Sequence, residues 1–238
     1  MLLPRIDFLK TGLALALGWG VAFALFRGWP GIDLAVSGLF WSPEAGFGVL
    51  QNPLWEALRN GLWDLEIALA VAAFALMVAA WMRGRAVAGL PVRATGFIVA
   101  LFALGPGVLV NGLFKSFAGR ARPATVTEFG GDRLFTPAGT FADQCSRNCS
   151  FPSGEVSSVV AMAVALWLVA ALPGAMPVRG RRALRIFAVV AALFVIAQRI
   201  VAGRHFLSDT VFAALMVLTL AWGLYALVSG RFAHARRG

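Results

Sequence analysis

Long apolar runs alternate with short polar stretches along the whole chain. Six runs have the length of membrane-spanning helices: Thr11–Phe26, Leu62–Trp81, Ala94–Phe114, Val156–Leu172, Ile186–Ile200 and Thr210–Val228. Each comes close to the roughly 20 apolar residues that cross a bilayer as a helix. A shorter mixed segment, Ile32–Trp41, is typical of a helix at the membrane interface, where tryptophan is favoured. The pattern predicts an all-α, polytopic membrane protein, a six-transmembrane-helix bundle.

Composition agrees with this class. Of the 238 residues, 60% are hydrophobic and 13% are charged, and the mean hydropathy is +0.80. Soluble domains average about 45–50% apolar and about 25% charged residues, so a soluble domain is excluded. The sequence contains no internal repeat, and we expect a single domain over residues 1–238. A basic start before an apolar run is typical of a secretory signal, but no small-residue cleavage site follows Phe26, so we expect an uncleaved first helix.

The formal net charge of +10 would suggest nucleic acid as partner of a soluble chain. Here the basic residues lie in short patches between apolar runs, as loops facing anionic lipid headgroups do, so we expect a lipid partner and no nucleic acid. With six spans both termini share one side, and that side holds twelve of the 21 lysines and arginines. The positive-inside rule then predicts cytoplasmic termini and an external loop, Lys115–Pro152. Oligomeric state stays open.

The external loop carries both cysteines of the chain, Cys145 and Cys149. Two cysteines alone are too few for a tetrahedral zinc site. Outside the cytoplasm they are expected to form a disulfide, with two free thiols as the alternative.

Three polar stretches fall on the predicted outer face. The last, Arg199–Asp209, holds His205 and Asp209 four residues apart, the spacing of one helix face. A carboxylate there can accept the Nδ1–H bond and leave Nε2 as nucleophile or base. Arg199 and Arg204 add cations, which favours a phosphate site. The alternative is an ordinary polar loop.

The other two stretches offer anion-binding groups. The first contains Lys115, Arg120 and Arg122, enough positive charge to neutralise a phosphate dianion. In the second, Ser153 and Gly154 precede the fourth span, where helix N–H groups can bind an anion. Taken singly, these stretches could be a solvated basic loop and a capping turn. All three in order on one face favour a phosphate site.

This combination resembles the type 2 phosphatidic acid phosphatase superfamily. That family's pattern is Lys-x6-Arg-Pro, then Pro-Ser-Gly-His, then Ser-Arg-x5-His-x3-Asp. The matching residues between positions 115 and 209 are Lys115, Arg122, Pro123, Pro152, Ser153, Gly154, Arg199, His205 and Asp209.

The resemblance implies a role for each matching side chain. His205 would attack phosphorus and form a phosphohistidine, and Asp209 would orient and support it. The phosphate oxygens would be held by Lys115, Arg122, Ser153, Gly154 and Arg199. The resemblance also implies that no metal or other cofactor is needed, because the cations stabilise the phosphate oxygens.

Two positions depart from the family pattern. Gln198 replaces the serine before the arginine, and Glu155 replaces the histidine that would protonate the leaving oxygen. Glu155 could serve as that acid, or as a base for the hydrolytic water if it stays ionised. In a third alternative, the leaving oxygen needs little protonation by a general acid.

The stretch from Cys149 to Ser157 resembles glutamate-bearing variants of the bacterial lipid A phosphatase branch. The sequence thus predicts a phosphoric ester hydrolase of the bacterial inner membrane, with a periplasmic site and lipid A as first substrate. Undecaprenyl diphosphate and phosphatidylglycerophosphate are the alternative substrates. A lipid-phosphate-binding protein or transporter without catalysis is the alternative of another class.

Overall fold

The structure, a computed structural model, describes residues 6–48, 52–172 and 176–229. Six helices in it are long and apolar enough to cross a membrane: Phe8–Gly28, Pro53–Arg83, Val92–Phe117, Gly154–Ala171, Val178–Val201 and Leu207–Val228. They confirm the predicted all-α class and the number of spans. The C-terminal stretch Arg231–Gly238, which is rich in arginine, lies outside the described residues, and the single-domain organisation stays a prediction.

The helices are labelled in chain order. They are α1 (Phe8–Gly28), α2 (Gly31–Gly38), α3 (Pro53–Arg83), α4 (Val92–Phe102), α5 (Lys115–Phe117), α6 (Gly154–Ala171), α7 (Val178–Val201) and α8 (Leu207–Val228). A π-helical segment, Ala103–Phe114, joins α4 to α5 and completes the third span. The expected interfacial helix is α2, immediately after the first span.

Two spans begin at least two helical turns earlier than the apolar pattern predicts. Helix α3 starts at Pro53 instead of Leu62, because the Asn52 side chain accepts a hydrogen bond from the Leu54 N–H and proline suits the first helical position. Helix α7 starts at Val178, so the predicted basic loop Pro177–Arg185 is mostly its first two turns. Long basic side chains can keep their charges at the membrane surface while their stems cover apolar area. The extra turns of α3 carry charged side chains into the bundle.

The π-helical segment shapes the third span near the site. Pro106 lies inside it and cannot donate a backbone hydrogen bond. The Asn111 side chain donates to the Pro106 carbonyl oxygen at 2.7 Å. The Asn111 amide group thereby has a hydrogen-bond acceptor within its own span.

Helix α6 lies at the centre of the bundle, packed against α7, α8, α3 and both parts of the third span. Helix α1 packs on the outside of α8. At the face where α3, α6 and α8 begin, the segment from Ala118 to Ser153 covers the bundle. It is held by backbone hydrogen bonds, including Ser150 N–H to the Arg120 carbonyl and Ala124 N–H to the Gly203 carbonyl. A disulfide joins Cys145 and Cys149 in this segment, as predicted.

Candidate active site

The three polar stretches meet at one face of the bundle, as their order along the spans predicted. The first follows the third span, the second forms the N-terminus of α6, and the third connects α7 to α8. Lys115 interacts electrostatically with Arg122, Glu155, Asp209 and Arg199, one or more groups from each stretch. The side chains predicted from separate motifs therefore form one cluster.

His205 is the buried centre of this cluster, with 2% of its surface exposed. Its Nδ1 lies 2.7 Å from the Ser150 carbonyl oxygen and 3.7 Å from Asp209 Oδ2. A carbonyl oxygen can only accept, so it requires the proton on Nδ1 and leaves the lone pair on Nε2. Ser150 thus provides the hydrogen bond that we expected from Asp209, and Asp209 acts on the imidazole at ion-pair distance.

Burial lowers the pKa of the His205 imidazole below its ordinary value near 6.5, and the charges of Lys115 and Arg122 lower it further, although Asp209 opposes this. The free imidazole is therefore the dominant form at neutral pH. That is the form with a nucleophilic Nε2.

Asp209 is fully buried and every contact it makes is with a donor. Its Oδ1 accepts from Arg120 Nη1 at 2.6 Å, and its Oδ2 accepts from the Phe206 N–H at 2.8 Å and from the Ser150 hydroxyl. Ser150 thereby contacts both members of the His205–Asp209 pair, through its hydroxyl and its carbonyl. The carboxylate is fixed in position before any substrate binds.

Arg120, counted above among the cations of the first stretch, is paired inside the protein. Its side chain is 0% exposed, and its guanidinium bridges two carboxylates, Asp209 and Asp33 of α2, the latter at 2.8 Å. It also donates to the Thr136 carbonyl at 2.8 Å and to the Ser208 hydroxyl. A buried guanidinium needs this pairing, so Arg120 faces the protein core, away from a phosphate in the cluster. Burial raises the pKa of Asp33, against the opposing effect of Arg120.

Gly154 allows Lys115 to approach the start of α6. A Cβ at Gly154 would lie 2.6 Å from Asn111 Oδ1 and 3.2 Å from Lys115 Nζ. Ser153 caps the helix, because its side chain accepts from the Val156 N–H at 3.4 Å. The first-turn N–H groups of a helix lack intrahelical partners, and here they lie beside an ammonium group. Helix terminus and lysine together suit an anion.

Arg122 and Arg204 bring further positive charge to the same region. Arg122 is partly buried and donates from Nη2 to the Asn148 carbonyl at 2.8 Å. Arg204 is exposed and close enough to Arg122 and Arg199 to repel both. Burial lowers the pKa of Arg122, with Arg204 adding to that effect, yet an arginine stays charged at any physiological pH. Neither arginine forms an ion pair with a described residue, and cations of this kind favour a dianionic ligand.

Glu155 lies in a ring of alternating charges that α3 completes. Its Oε1 accepts from Arg199 Nη1 at 2.9 Å and its Oε2 from Arg59 Nη1 at 3.4 Å. Arg59 also pairs with Glu56 at 2.9 Å, and Glu56 with Arg199 at 3.3 Å. Both oxygens of Glu155 therefore act as acceptors from guanidinium groups.

The same ring of charges, together with Gln198, engages most of the guanidinium N–H groups of Arg199. Besides its two acidic partners, Arg199 donates from Nε to the Gln198 side chain, which in turn donates to Glu56 at 2.9 Å. Gln198, 1% exposed, thus connects Arg199 to α3 where the family has a serine. Three of the five N–H groups of Arg199 are engaged, which leaves two for a phosphate.

Sequence reasoning missed four side chains of this region: Asp33, Glu56, Arg59 and Ser150. Three of them lie on α2 and α3, outside the motif stretches. Glu56 and Arg59 precede the predicted second span, so the sequence did not place them in a membrane helix, where charged residues almost always face a polar partner inside the bundle. Ser150 acts partly through its backbone carbonyl, which no sequence motif reports.

Comparison with known proteins assigns the family. The sequence profile of the PAP2 superfamily matches residues 94–233, more than half of the chain and all three polar stretches. The chain belongs to the PAP2 superfamily. Asp33, Glu56 and Arg59 lie before the matched region, so the profile does not cover these contacts.

Relatives of this PAP2 protein extend the likeness over nearly the whole chain. A lipid A 4'-phosphatase of Rhizobium leguminosarum is 32% identical over 232 residues, 90% of this chain and 94% of that protein. One of Rhizobium etli is 33% identical over 224 residues, 84% of both chains. One of Francisella tularensis subsp. novicida is 37% identical over 136 residues, 57% of this chain but only 59% of that protein.

A solved structure shows the same fold. The crystal structure of a transmembrane PAP2-type phosphatidylglycerolphosphate phosphatase from Bacillus subtilis matches with a TM-score of 0.53. The match covers 97% of this chain and 98% of that one at 17% identity. Family and relatives confirm the predicted class, a multi-pass membrane lipid phosphatase that hydrolyses phosphoric esters. The roles of individual site residues stay predictions.

Proposed function

We propose that this protein removes the 4'-phosphate of lipid A, at the periplasmic face of the bacterial inner membrane. The observation that carries this substrate is the similarity, over most of both chains, to two proteins named lipid A 4'-phosphatase. A buried imidazole beside several cations suits a phosphate ester of this kind. Both termini would lie in the cytoplasm, and the cluster around His205 would face the periplasm.

The first step transfers the phosphoryl group to the enzyme. His205 Nε2 attacks phosphorus, a P–N bond forms, the P–O bond to the sugar breaks, and the departing sugar oxygen takes up a proton from water. Cations stabilise the phosphate oxygens as charge redistributes. The groups we assign to this task are Lys115, Arg122, Arg199 and the first turn of α6 at Ser153 and Gly154.

The second step regenerates the free imidazole of His205. Water attacks phosphorus, the P–N bond breaks, and inorganic phosphate leaves. Asp209, fixed by Arg120 and Ser150, stabilises the positive charge on the imidazole ring. We assign Glu155 to the proton transfers. The base role for the attacking water is favoured, because both of its oxygens already accept hydrogen bonds from arginines.

The test is hydrolysis by the purified protein in detergent with EDTA, using lipid A that carries both phosphates. Mass spectrometry of the product is expected to show loss of the 4'-phosphate with release of inorganic phosphate. His205→Ala should reduce turnover by several orders of magnitude because the nucleophile is lost. His234→Ala, the matched change at the only other histidine, should retain full activity.

Other outcomes would replace the proposal. Hydrolysis of undecaprenyl diphosphate or phosphatidylglycerophosphate in preference to lipid A would keep the mechanism and change the substrate. Retention of activity within about tenfold in His205→Ala would rule out the phosphohistidine. No phosphate release from any lipid would favour a binding protein.

A further inference from the structure

A largely apolar groove opens between α3 and the third span. Its volume is about 440 Å³, and its apolar wall includes Trp63, Ile67, Phe74 and Phe102. Two polar side chains interrupt this wall, Glu66 of α3 and Ser158 of α6. Neither belongs to a family motif or to the mechanism above.

Glu66 is a buried carboxyl group with an unmet hydrogen bond. It is 4% exposed, and its Oε2 has no hydrogen-bond partner. A carboxyl group in apolar surroundings keeps its proton unless a cation faces it, and an unsatisfied polar group there is costly. Acidic residues inside membrane helices usually mark a functional site for that reason. Glu66 is therefore placed to donate to a ligand that enters the groove.

The groove lies within one to two helical turns of the phosphate cluster along α3 and α6. Glu66 follows Arg59 by two helical turns on the same side of α3, and Ser158 follows Gly154 by one turn on α6. Glu66 also lies close enough to Glu155 for the two to interact electrostatically. A lipid whose phosphate reaches His205 would therefore pass its chain attachment point near Glu66 and its hydrocarbon along the apolar wall.

We propose that Glu66, beside Ser158, is a substrate-recognition residue that donates a hydrogen bond to an acyl carbonyl oxygen of the bound lipid phosphate. This inference rests on the proposed lipid phosphatase function. The carbonyl is the fitting partner because it accepts without adding charge to an apolar groove. Glu66 thus makes the enzyme select acylated lipid phosphates over other phosphate esters that the cations alone would admit.

Two synthetic lipid phosphates test this selection. They carry the same sugar phosphate and chain length, and they differ only in an ester or an ether link between chain and sugar. Wild-type enzyme is expected to show a lower KM for the ester. Glu66→Leu should raise the KM for the ester about tenfold, the usual effect of one lost buried hydrogen bond, and leave the ether lipid unchanged.

Controls separate recognition from folding. Glu66→Gln keeps a donor and should retain the ester preference. Asp64→Asn changes an exposed carboxylate two residues away and should alter nothing. Glu66→Leu should also raise the Tm, because an unsatisfied polar group is replaced by an apolar one; a residue needed for folding would lower it.

Each remaining outcome is decisive. If wild-type enzyme hydrolyses both lipids with equal KM, or if Glu66→Leu keeps the ester preference, the recognition role is wrong while the phosphatase function stands. Aryl phosphate, which has no acyl chain, should be hydrolysed equally by wild type and Glu66→Leu. If wild-type enzyme hydrolyses none of these substrates, the proposed function itself fails.

Discussion

Glu155 and Arg199 hold each other in place at the residue scale. Arg199 reaches Glu155 at 2.9 Å, and each has a second partner of opposite charge on α3. The family histidine would not close this ring of ion pairs, because a neutral imidazole carries no negative charge and a protonated one would be repelled by Arg199 and Arg59. The substitution at position 155 and the charged turns of α3 therefore form one coupled feature.

Glu155→Gln separates the possible roles of this side chain. As base for the attacking water, its loss slows the second step only, so an aryl phosphate should give a rapid burst of aryl alcohol followed by a turnover slower by roughly a hundredfold. We expect this result. It is measured by stopped-flow absorbance at an enzyme concentration comparable to that of the substrate, so that one aryl alcohol released per active site can be detected.

Different kinetics would indicate a different role. A large loss confined to sugar phosphates, with no burst, would indicate that Glu155 is the acid for the leaving oxygen. An equal loss on both substrates without a burst would mean that it only positions Arg199. Glu56→Gln is the matched control: Glu56 pairs with the same two arginines and should produce no burst.

The sequence predicted which residue types form the site better than it predicted the contacts that their side chains make. His205, Lys115 and Gly154 could be found because a motif fixes residue type and spacing. The motif selects Arg122, but it gives no role for Arg120, two residues earlier in the same basic stretch. Which one faces the core depends on Asp33, which comes from another helix 87 residues earlier.

At the scale of elements, the short helix α2 is tied to the catalytic pair. Both oxygens of Asp33 accept from donors of other segments: Oδ1 from the Ser208 N–H at 2.9 Å, and Oδ2 from Arg120 and the Ser208 hydroxyl. Ser208 precedes Asp209 in the first turn of α8. The position of α2 thus fixes the start of α8. The apolar pattern had predicted α2 only as an interfacial segment.

Asp33→Asn should loosen this connection. An amide must turn its NH2 group towards one of the Ser208 or Arg120 donors, and Arg120 is left with one carboxylate. Breaking a buried ion pair costs about 3–5 kcal/mol, so we expect a Tm lower by about 6–20 °C, measured by thermal unfolding in detergent. Activity at low temperature should fall through kcat, because the orientation of Asp209 changes while the phosphate cations remain.

Asp132→Asn provides the comparison for that measurement. Asp132 is an exposed carboxylate, 83% accessible, in the segment that covers the same face. Its loss should leave the Tm within about 1 °C, as surface ion pairs contribute little. Equal Tm values for the two variants would contradict the structural role of Asp33.

At the scale of the whole molecule, the six spans determine that the site and the loop Ala118–Ser153 share one face. The six apolar runs of membrane-spanning length predicted this shared face by themselves, because each span reverses the chain direction. Helix ends were harder to predict, as capping by Asn52 and charged first turns extend α3 and α7 beyond their apolar runs. Which face is outside depends on the distribution of basic residues, a bias of twelve to nine.

The disulfide provides a direct test of this orientation. Cys145 and Cys149 are the only cysteines of the chain, they are bonded, and they lie on the face of His205. We expect intact spheroplasts to react with a membrane-impermeant maleimide only after treatment with an impermeant phosphine reductant, because a disulfide cannot be alkylated. For control, Ser229→Cys at the opposite end of α8, in a chain with both native cysteines changed to serine, should react only after the membrane is permeabilised. The reverse labelling would put the site in the cytoplasm, where the lipid phosphates of the outer leaflet could not reach it, and the periplasmic assignment would have to be abandoned.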